Sequence, residues 1–477
     1  MTMNCLTMAA DQLESRGAQM ALWTEDDGPV SFAEMFVLTR RAQALLQRQG
    51  IGPGDHVLLF ALPGPRLYAM IMGLLGLGAA VMLVEPWMPI ERVDHVVRST
   101  RPKAFYAGWL GRLWGLRVKA IREIPLHLGL KDFDAEKPLD KLHIHACTGD
   151  ERGIVTFSSG TSAAPKGVVR THRYMTDITE ILNKYDPPEQ QHGPDLCLFA
   201  NLATLHIANG RSAYLIPHHW KGRSLKKLEA AAVAGGQEPV SLICGPAFLK
   251  HLLTVGGFPK LEHIHVGGAL TPTSLFEEAF ARWPHARFTH IYGGSEVEPV
   301  AFADGRVAVA ESKAAGLFHT LFVGNPIEEL AIDMHDEKGP WVAGPNVCPE
   351  YVGANDENKK YKRRDADGRL WHFMGDRLKK TDAGYWYAGR SFQEPGIFEL
   401  EEKLFALLQR DKFFLHRDEK GVLCVIGEGV KKDLAKMQIL APEVLRAFEV
   451  TLVVDRRHRA RIDRAHALGK AAKWLAG

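Results

Sequence analysis

The sequence predicts an α/β protein: a large N-terminal domain of helix-covered, mainly parallel sheets plus a small β-rich unit, followed by a small α+β C-terminal domain. Three observations carry this reading. Amphipathic helical spacing alternates with short β-branched runs through roughly the first 300 residues, the rhythm of βαβ units. After about residue 320 the apolar runs shorten. There Gly339-Pro340, Gly344-Pro345, Asp367-Gly368 and Asp382-Ala383-Gly384 punctuate them, as in a set of hairpins. From about residue 391 a helix over Phe398–Leu408 and strands over Lys412–His416 and Val422–Ile426 form a third texture. The expected units are therefore 1–390, with the β-rich part at about 320–390, and a shortened, mobile 391–477.

Each element has a local reason. Ser31 precedes an apolar-periodic run over Phe32–Leu46, with Glu34 three residues on, the layout of a capping box. The turn Gly52-Pro53-Gly54-Asp55 leads into a strand at Val57–Phe60. The stretch from Leu67 to Val84 is uncharged and has the length of a short membrane span. Its Gly73, Gly76 and Gly78, and its ending in Val81-Met82-Leu83-Val84 before Glu85-Pro86, read instead as a core helix running into a buried strand. Further buried strands are expected at Gly153–Phe157, Val240–Cys244, Ile264–Val266 and Phe288–Tyr292.

Composition narrows the class. A chain of 477 residues buries several cores without disulfide or metal staples. A net charge of only +3 argues against a protein whose main task is coating nucleic acid or an anionic membrane. The cysteines Cys5, Cys147, Cys197, Cys244, Cys348 and Cys424 form no CxxC pair and read as reduced thiols. Asp11, Glu14 and Arg16 deny the N-terminus the basic-then-apolar layout of a signal peptide. A cytoplasmic location without a membrane span is expected.

The most informative stretch runs from Ile154 through Ser158-Ser159-Gly160-Thr161-Ser162-Ala163-Ala164-Pro165-Lys166-Gly167 to Val168. A buried strand feeds a loop of small hydroxylated residues and then a lysine. Small residues let backbone N–H groups approach an anion, hydroxyls donate to phosphate oxygens, and the lysine adds a point charge. It is not a Walker A loop, which needs Gly-Lys-Ser/Thr. Taken alone, the stretch is also compatible with a ligand-free surface loop.

In company it is more specific. Gly267-Gly268-Ala269, then Tyr292-Gly293-Gly294-Ser295-Glu296, then Gly375-Asp376, Asp382-Ala383-Gly384-Tyr385 and Gly389-Arg390 follow in order. With Ser31-Phe32-Ala33-Glu34 and Leu74–Val84 upstream, the chain resembles the acyl-adenylate-forming superfamily of acyl-CoA synthetases, luciferases and peptide-synthetase adenylation domains. The resemblance implies ATP and Mg²⁺. Ser158, Ser159, Gly160, Thr161, Ser162 and Lys166 would embrace the phosphates, and Gly268, Ala269, Gly293 and Ser295 would border the nucleotide. Tyr292 would stack on adenine, Glu296 with Thr161 would hold Mg²⁺, and Asp376 with Arg390 would take the ribose hydroxyls.

The implied reaction is attack of a carboxylate on the α-phosphate, releasing pyrophosphate, followed by acyl transfer to a thiol such as coenzyme A or an acyl carrier protein. No charged residue stands out in Leu202–Gly210 or Gly267–Ala269, so a fatty or other apolar acid is expected.

The C-terminal part departs from the pattern. Gly389-Arg390 runs through Ser391–Gly396 almost directly into the next helix, a short hinge loop. Asp455-Arg456-Arg457-His458-Arg459-Ala460-Arg461 is similar to the terminal catalytic-lysine motif, most like its form in the β-lactone synthetases of olefin biosynthesis, with Arg461 at the lysine's place. Guanidinium and ammonium are not interchangeable. Two further readings stay open at this point: β-lactone closure on a 3-hydroxy acid, and a degenerate homologue that binds without turnover. Nucleic-acid binding through Lys359-Lys360, Lys362-Arg363-Arg364 and Arg456–Arg464 is disfavoured.

Overall fold

The computed structural model describes residues 3–157, 165–187, 192–199, 202–217, 219–336, 338–353, 355–454 and 461–475. Two large sheets and two small ones organise them. In the seven-stranded sheet, Arg152–Phe157, Ala80–Val84, His56–Phe60, Ala104–Ala107 and Leu126–Gly129 lie parallel in that order. Gly167–Thr171 and then Tyr351–Val352 continue the Arg152–Phe157 edge antiparallel. The near-continuous burial of Ala80–Val84 and Ala104–Ala107 is what a strand covered on both faces demands.

The uncharged stretch resolves as expected. Helix Pro65–Gly76 is followed by strand Ala80–Val84, and no helix among the described residues is long and apolar enough to cross a membrane. Its glycines permit close packing: a Cβ on Gly73 would sit 2.9 Å from the Ala42 methyl. Helix Phe32–Arg48 starts at Ser31 with the full capping box, the Glu34 N–H donating to Ser31 Oγ and the Ser31 N–H to the Glu34 carboxylate.

The eleven-stranded sheet contains six parallel strands, Met20–Thr24, Ala213–Leu215, Asp195–Cys197, Ser241–Cys244, His263–Gly267 and Arg287–Gly294. It then turns antiparallel through Val297–Asp304, Phe322–Pro326, Gly384–Arg390 and Asp376–Thr381. The hairpin-rich region is therefore divided. Three of its strands extend the large sheet, while Ala331–Asp333, Trp341–Ala343, Leu370–Phe373 and Lys362–Arg364 form a four-stranded sheet of their own. A short helix, Asn355–Tyr361, interrupts it.

Beyond Arg390, Phe413–Arg417, Leu423–Gly427 and Val444–Glu449 make a three-stranded sheet with helices Ile397–Leu408, Val430–Leu440 and Arg464–Leu475. A buried ion pair, His319 with Glu402, ties this part to the large sheet, with Asp411 at its rim. Both oxygens of Glu402 engage His319, one accepting from its N–H at 3.0 Å and the other meeting Nδ1 at 2.6 Å. His319 Nε2 lies 3.4 Å from Asp411. Burial alone would lower the imidazole's pKa, but Glu402 and Asp411 raise it to about 9.

Candidate active site

Parallel α/β sheets bind ligands at the carboxyl ends of their strands. Here Ser241–Cys244, His263–Gly267 and Arg287–Gly294 end side by side. Gly294 pairs with Val297, so Ser295 and Glu296 form the tip of a two-residue hairpin. Gly293 permits the hairpin's closeness, since a Cβ there would meet the Val297 carbonyl at 2.9 Å.

Two groups of side chains meet at this edge. In the first, Tyr292 Oη donates to Asp376 Oδ2 at 2.8 Å and Arg390 Nη1 to Oδ1 at 2.7 Å. Burial pushes the Asp376 carboxyl up, against the pull of Arg390, the Tyr292 hydroxyl and Arg461. Each carboxylate oxygen retains a second lone-pair direction for a ligand hydroxyl. In the second group, Tyr351 Oη donates to Glu296 Oε1 at 3.1 Å, and the Glu296 carbonyl accepts from the Cys348 N–H at 2.8 Å. Lys166 Nζ lies 4.3 Å from the Tyr361 ring centre and 5.4 Å from that of Tyr351, and it pairs with Glu357. Tyr351 thus gathers Lys166 and Glu296 around one ring.

Ser295 contributes its carbonyl to Arg170 Nη2 at 3.1 Å, and Arg170 also reaches Thr156 and Glu298. Arg461 Nη2 donates to the Gly268 carbonyl at 2.6 Å, which brings the C-terminal residue onto the loop beside Ala269. Gly268 has φ of +82°, a conformation glycine adopts without strain. Ser158, Ser159, Gly160, Thr161 and Ser162 lie outside the described residues.

Sequence reasoning missed Tyr351, Arg170 and Glu357. No local signal marks Tyr351, because its partner stands 55 residues upstream and only the strand pairing of Tyr351–Val352 with Gly167–Thr171 brings it to the site. Among the described residues no group of three His, Cys, Asp or Glu side chains is placed to hold a metal ion by itself. Glu296 does offer hard carboxylate oxygen, which suits Mg²⁺ carried largely by substrate phosphates.

Behind the strand ends lies a cavity of about 260 Å³. Leu182, Leu205, Ile243, Ile291 and Phe302 line it together with the charged Asp186, Arg287 and Asp304 and a polar trio, Asp195, His206 and Arg211. The register sets the depth. Gly267 pairs with Ile291, the residue before Tyr292, whereas Asp195, Ser241, His263 and Arg287 share a level four residues back, about 13 Å along a strand. Asp195 meets His206 Nδ1 at 3.0 Å and pairs with Arg211. Burial would raise its carboxyl, but His206 and Arg211 hold it at about 2. This cavity therefore carries charge, from Asp186, Asp195, Arg211, Arg287 and Asp304. Asp195 and Arg211 fall just outside the stretches whose composition suggested an apolar acid.

Residues 9–352 match the model of the AMP-binding enzyme family. The olefin β-lactone synthetase of Xanthomonas campestris pv. campestris is 27% identical over 76% of this chain and 72% of its own. That of Stenotrophomonas maltophilia is 25% identical over 72% and 69%. Among solved structures, ATP-bound MatB from Rhodopseudomonas palustris superposes with a TM-score of 0.79 at 15% identity over the whole of both chains. A Mycobacterium tuberculosis fatty acyl CoA synthetase gives 0.74 at 15% identity, covering 99% of each. With most of its length matched, this chain belongs to the AMP-binding enzymes and is an AMP-forming acid ligase of the acyl-adenylate-forming superfamily.

Proposed function

We propose that the enzyme activates a fatty or other largely apolar carboxylic acid as its adenylate and passes the acyl group to a thiol, of coenzyme A or a carrier protein. The observation that carries this is the Tyr292–Asp376–Arg390 cluster standing beside Glu296 at the carboxyl ends of the parallel strands, with Leu182, Leu205, Ile243, Ile291 and Phe302 offering apolar surface to a cavity deeper along the same sheet. A carboxylate oxygen bonds to the α-phosphorus of ATP as the bond to pyrophosphate breaks. Both reactants are anions, so the protein's part is alignment and charge compensation rather than a nucleophile. Asp376 would receive ribose hydroxyls and Tyr292 would flank the base. Lys166 would move from Glu357 to the phosphates, with Glu296 and Thr161 holding Mg²⁺.

A second reading, favoured by the two olefin β-lactone synthetase relatives and by Arg461 at the tail, is intramolecular closure. The 3-hydroxyl oxygen of a 3-hydroxy acid bonds to the acyl carbon, AMP leaves, and the hydroxyl proton passes to solvent. Exchange of labelled pyrophosphate into ATP, dependent on added acid, tests the first step. Exchange with straight-chain or 3-hydroxy acids is expected, and its absence with every acid in protein that binds ATP overturns adenylation. Lactone from 3-hydroxy acids without any thiol selects the second reading, and thioester alone rejects it.

Two smaller effects belong here. Glu357→Gln removes the carboxylate that competes with phosphate for Lys166. A partly exposed pair is worth ~0.2–1 kcal/mol, so the KM for ATP should fall by up to about fivefold in steady-state assays. Asp376→Ala leaves Arg390 without its buried partner and is expected to raise the KM for ATP by about tenfold or more, on a lost charge-assisted bond of ~1.5–3 kcal/mol.

A further inference from the structure

The short helix Trp109–Gly115 is built inside out. Its inward face is glycine: a Cβ on Gly111 would lie 2.7 Å from the Phe60 carbonyl, and one on Gly115 would lie 3.0 Å from the Phe105 ring. Trp114 stacks on Phe60 at 4.4 Å and completes that contact. The large apolar side chains point the other way. Trp109 is 68% exposed, Leu110 60%, Leu113 55% and, just past the helix, Leu116 61%. Strand register adds Leu62, 67% exposed: Phe60 pairs with Ala107, so the two chains leave the sheet together two residues before Leu62 and Trp109. Leu130 borders Gly108 from the next strand end. A soluble surface scatters such residues singly, whereas here they are contiguous.

The rim is basic. From Trp109 to Lys131 the sequence holds Arg112, Arg117, Lys119, Arg122 and Lys131 against one acid, Glu123, although the whole chain is only +3. Neighbouring carboxylates are engaged: Glu123 with Arg98, Asp134 with Arg66, and Asp132 with the Gly129 N–H. We propose that this face docks on an anionic lipid surface, with Trp109 and the leucines entering the headgroup–acyl boundary and the arginines meeting lipid phosphates. Pairing with a second copy through the same patch would set the two basic rims against each other, which the charge pattern disfavours. The side chains project outward rather than lining a groove, which suits a fluid surface. This inference is independent of the acid that the enzyme activates.

The test is co-sedimentation of the full-length protein with vesicles of phosphatidylcholine alone and of phosphatidylcholine with 30% phosphatidylserine. Binding is expected to be stronger to the anionic vesicles. Trp109→Ser with Leu113→Ser should weaken it by at least about tenfold, with unchanged pyrophosphate exchange and thermal midpoint. Arg112→Gln with Arg117→Gln should remove only the preference for phosphatidylserine. Failure to sediment with either vesicle, or equal sedimentation of the serine variant, overturns the proposal. So does a dimer seen by light scattering that the serine variant abolishes without vesicle binding, which would assign the patch to a second copy.

Discussion

Lys166→Ala and Glu296→Ala are each expected to slow formation of the acyl-adenylate by about a hundredfold or more. A positive charge or donor aimed at a developing anion commonly contributes ~2.7–4 kcal/mol to a barrier; Lys166 would supply it directly, and Glu296 by holding Mg²⁺. The two residues share the Tyr351 ring, so their effects should fall short of additive in the double variant. Single-turnover release of pyrophosphate reads the step directly. A near wild-type rate in either variant would remove that residue from the machinery. Tyr351→Phe separates position from charge. It deletes the hydrogen bond to Glu296 while keeping the ring beneath Lys166, and should cost far less than either alanine.

The second large effect concerns stability. His319 and Glu402 form a buried ionic pair, with the half-exposed Asp411 at its rim, between the large sheet and the C-terminal part. Removing one member leaves an uncompensated charge, so His319→Leu should destabilise the protein by ~3–5 kcal/mol in urea melts. Replacing His319 and Glu402 together with leucine should recover much of the loss. The pH dependence has a definite sign. The folded pKa of His319 is about 9, above the ordinary imidazole value, so its stabilisation is fully present below about pH 6.5. It is lost as pH rises through 9. Wild-type stability should therefore decline across that window, and the decline should flatten in the double leucine variant.

What the sequence made legible follows from range. The strands at Arg152–Phe157, Ser241–Cys244, His263–Gly267 and Arg287–Gly294 are short β-branched runs, and helix Phe32–Arg48 carries its own cap. Tyr292, Glu296, Asp376 and Arg390 stand in short contiguous motifs, through which the chain resembles the acyl-adenylate-forming superfamily. The remainder depends on sheet order. Tyr351 reaches Glu296 only because Tyr351–Val352 adds to the edge of the other large sheet. Glu401 and Glu402 lie on a helix whose sequence reads as a charged outer face, yet both are buried, one against Arg464 and the other against His319. Asp195, His206 and Arg211 are spread over a strand, a helix and a loop, and no spacing rule joins them.

The hydrogen bond from Arg461 to Gly268 has one partner that cannot mutate. Its acceptor is a main-chain carbonyl rather than a side chain, so the large sheet's half of the contact survives sequence drift in the neighbouring loop residues as long as the backbone keeps its shape. The φ of +82° favours glycine at position 268, and side-chain variation in the contact falls on the tail. There a change from arginine to lysine alters the number and direction of donors and leaves the receiving surface as it was. Evolution or an engineer could retune how the C-terminal part seats on the site by editing position 461 alone.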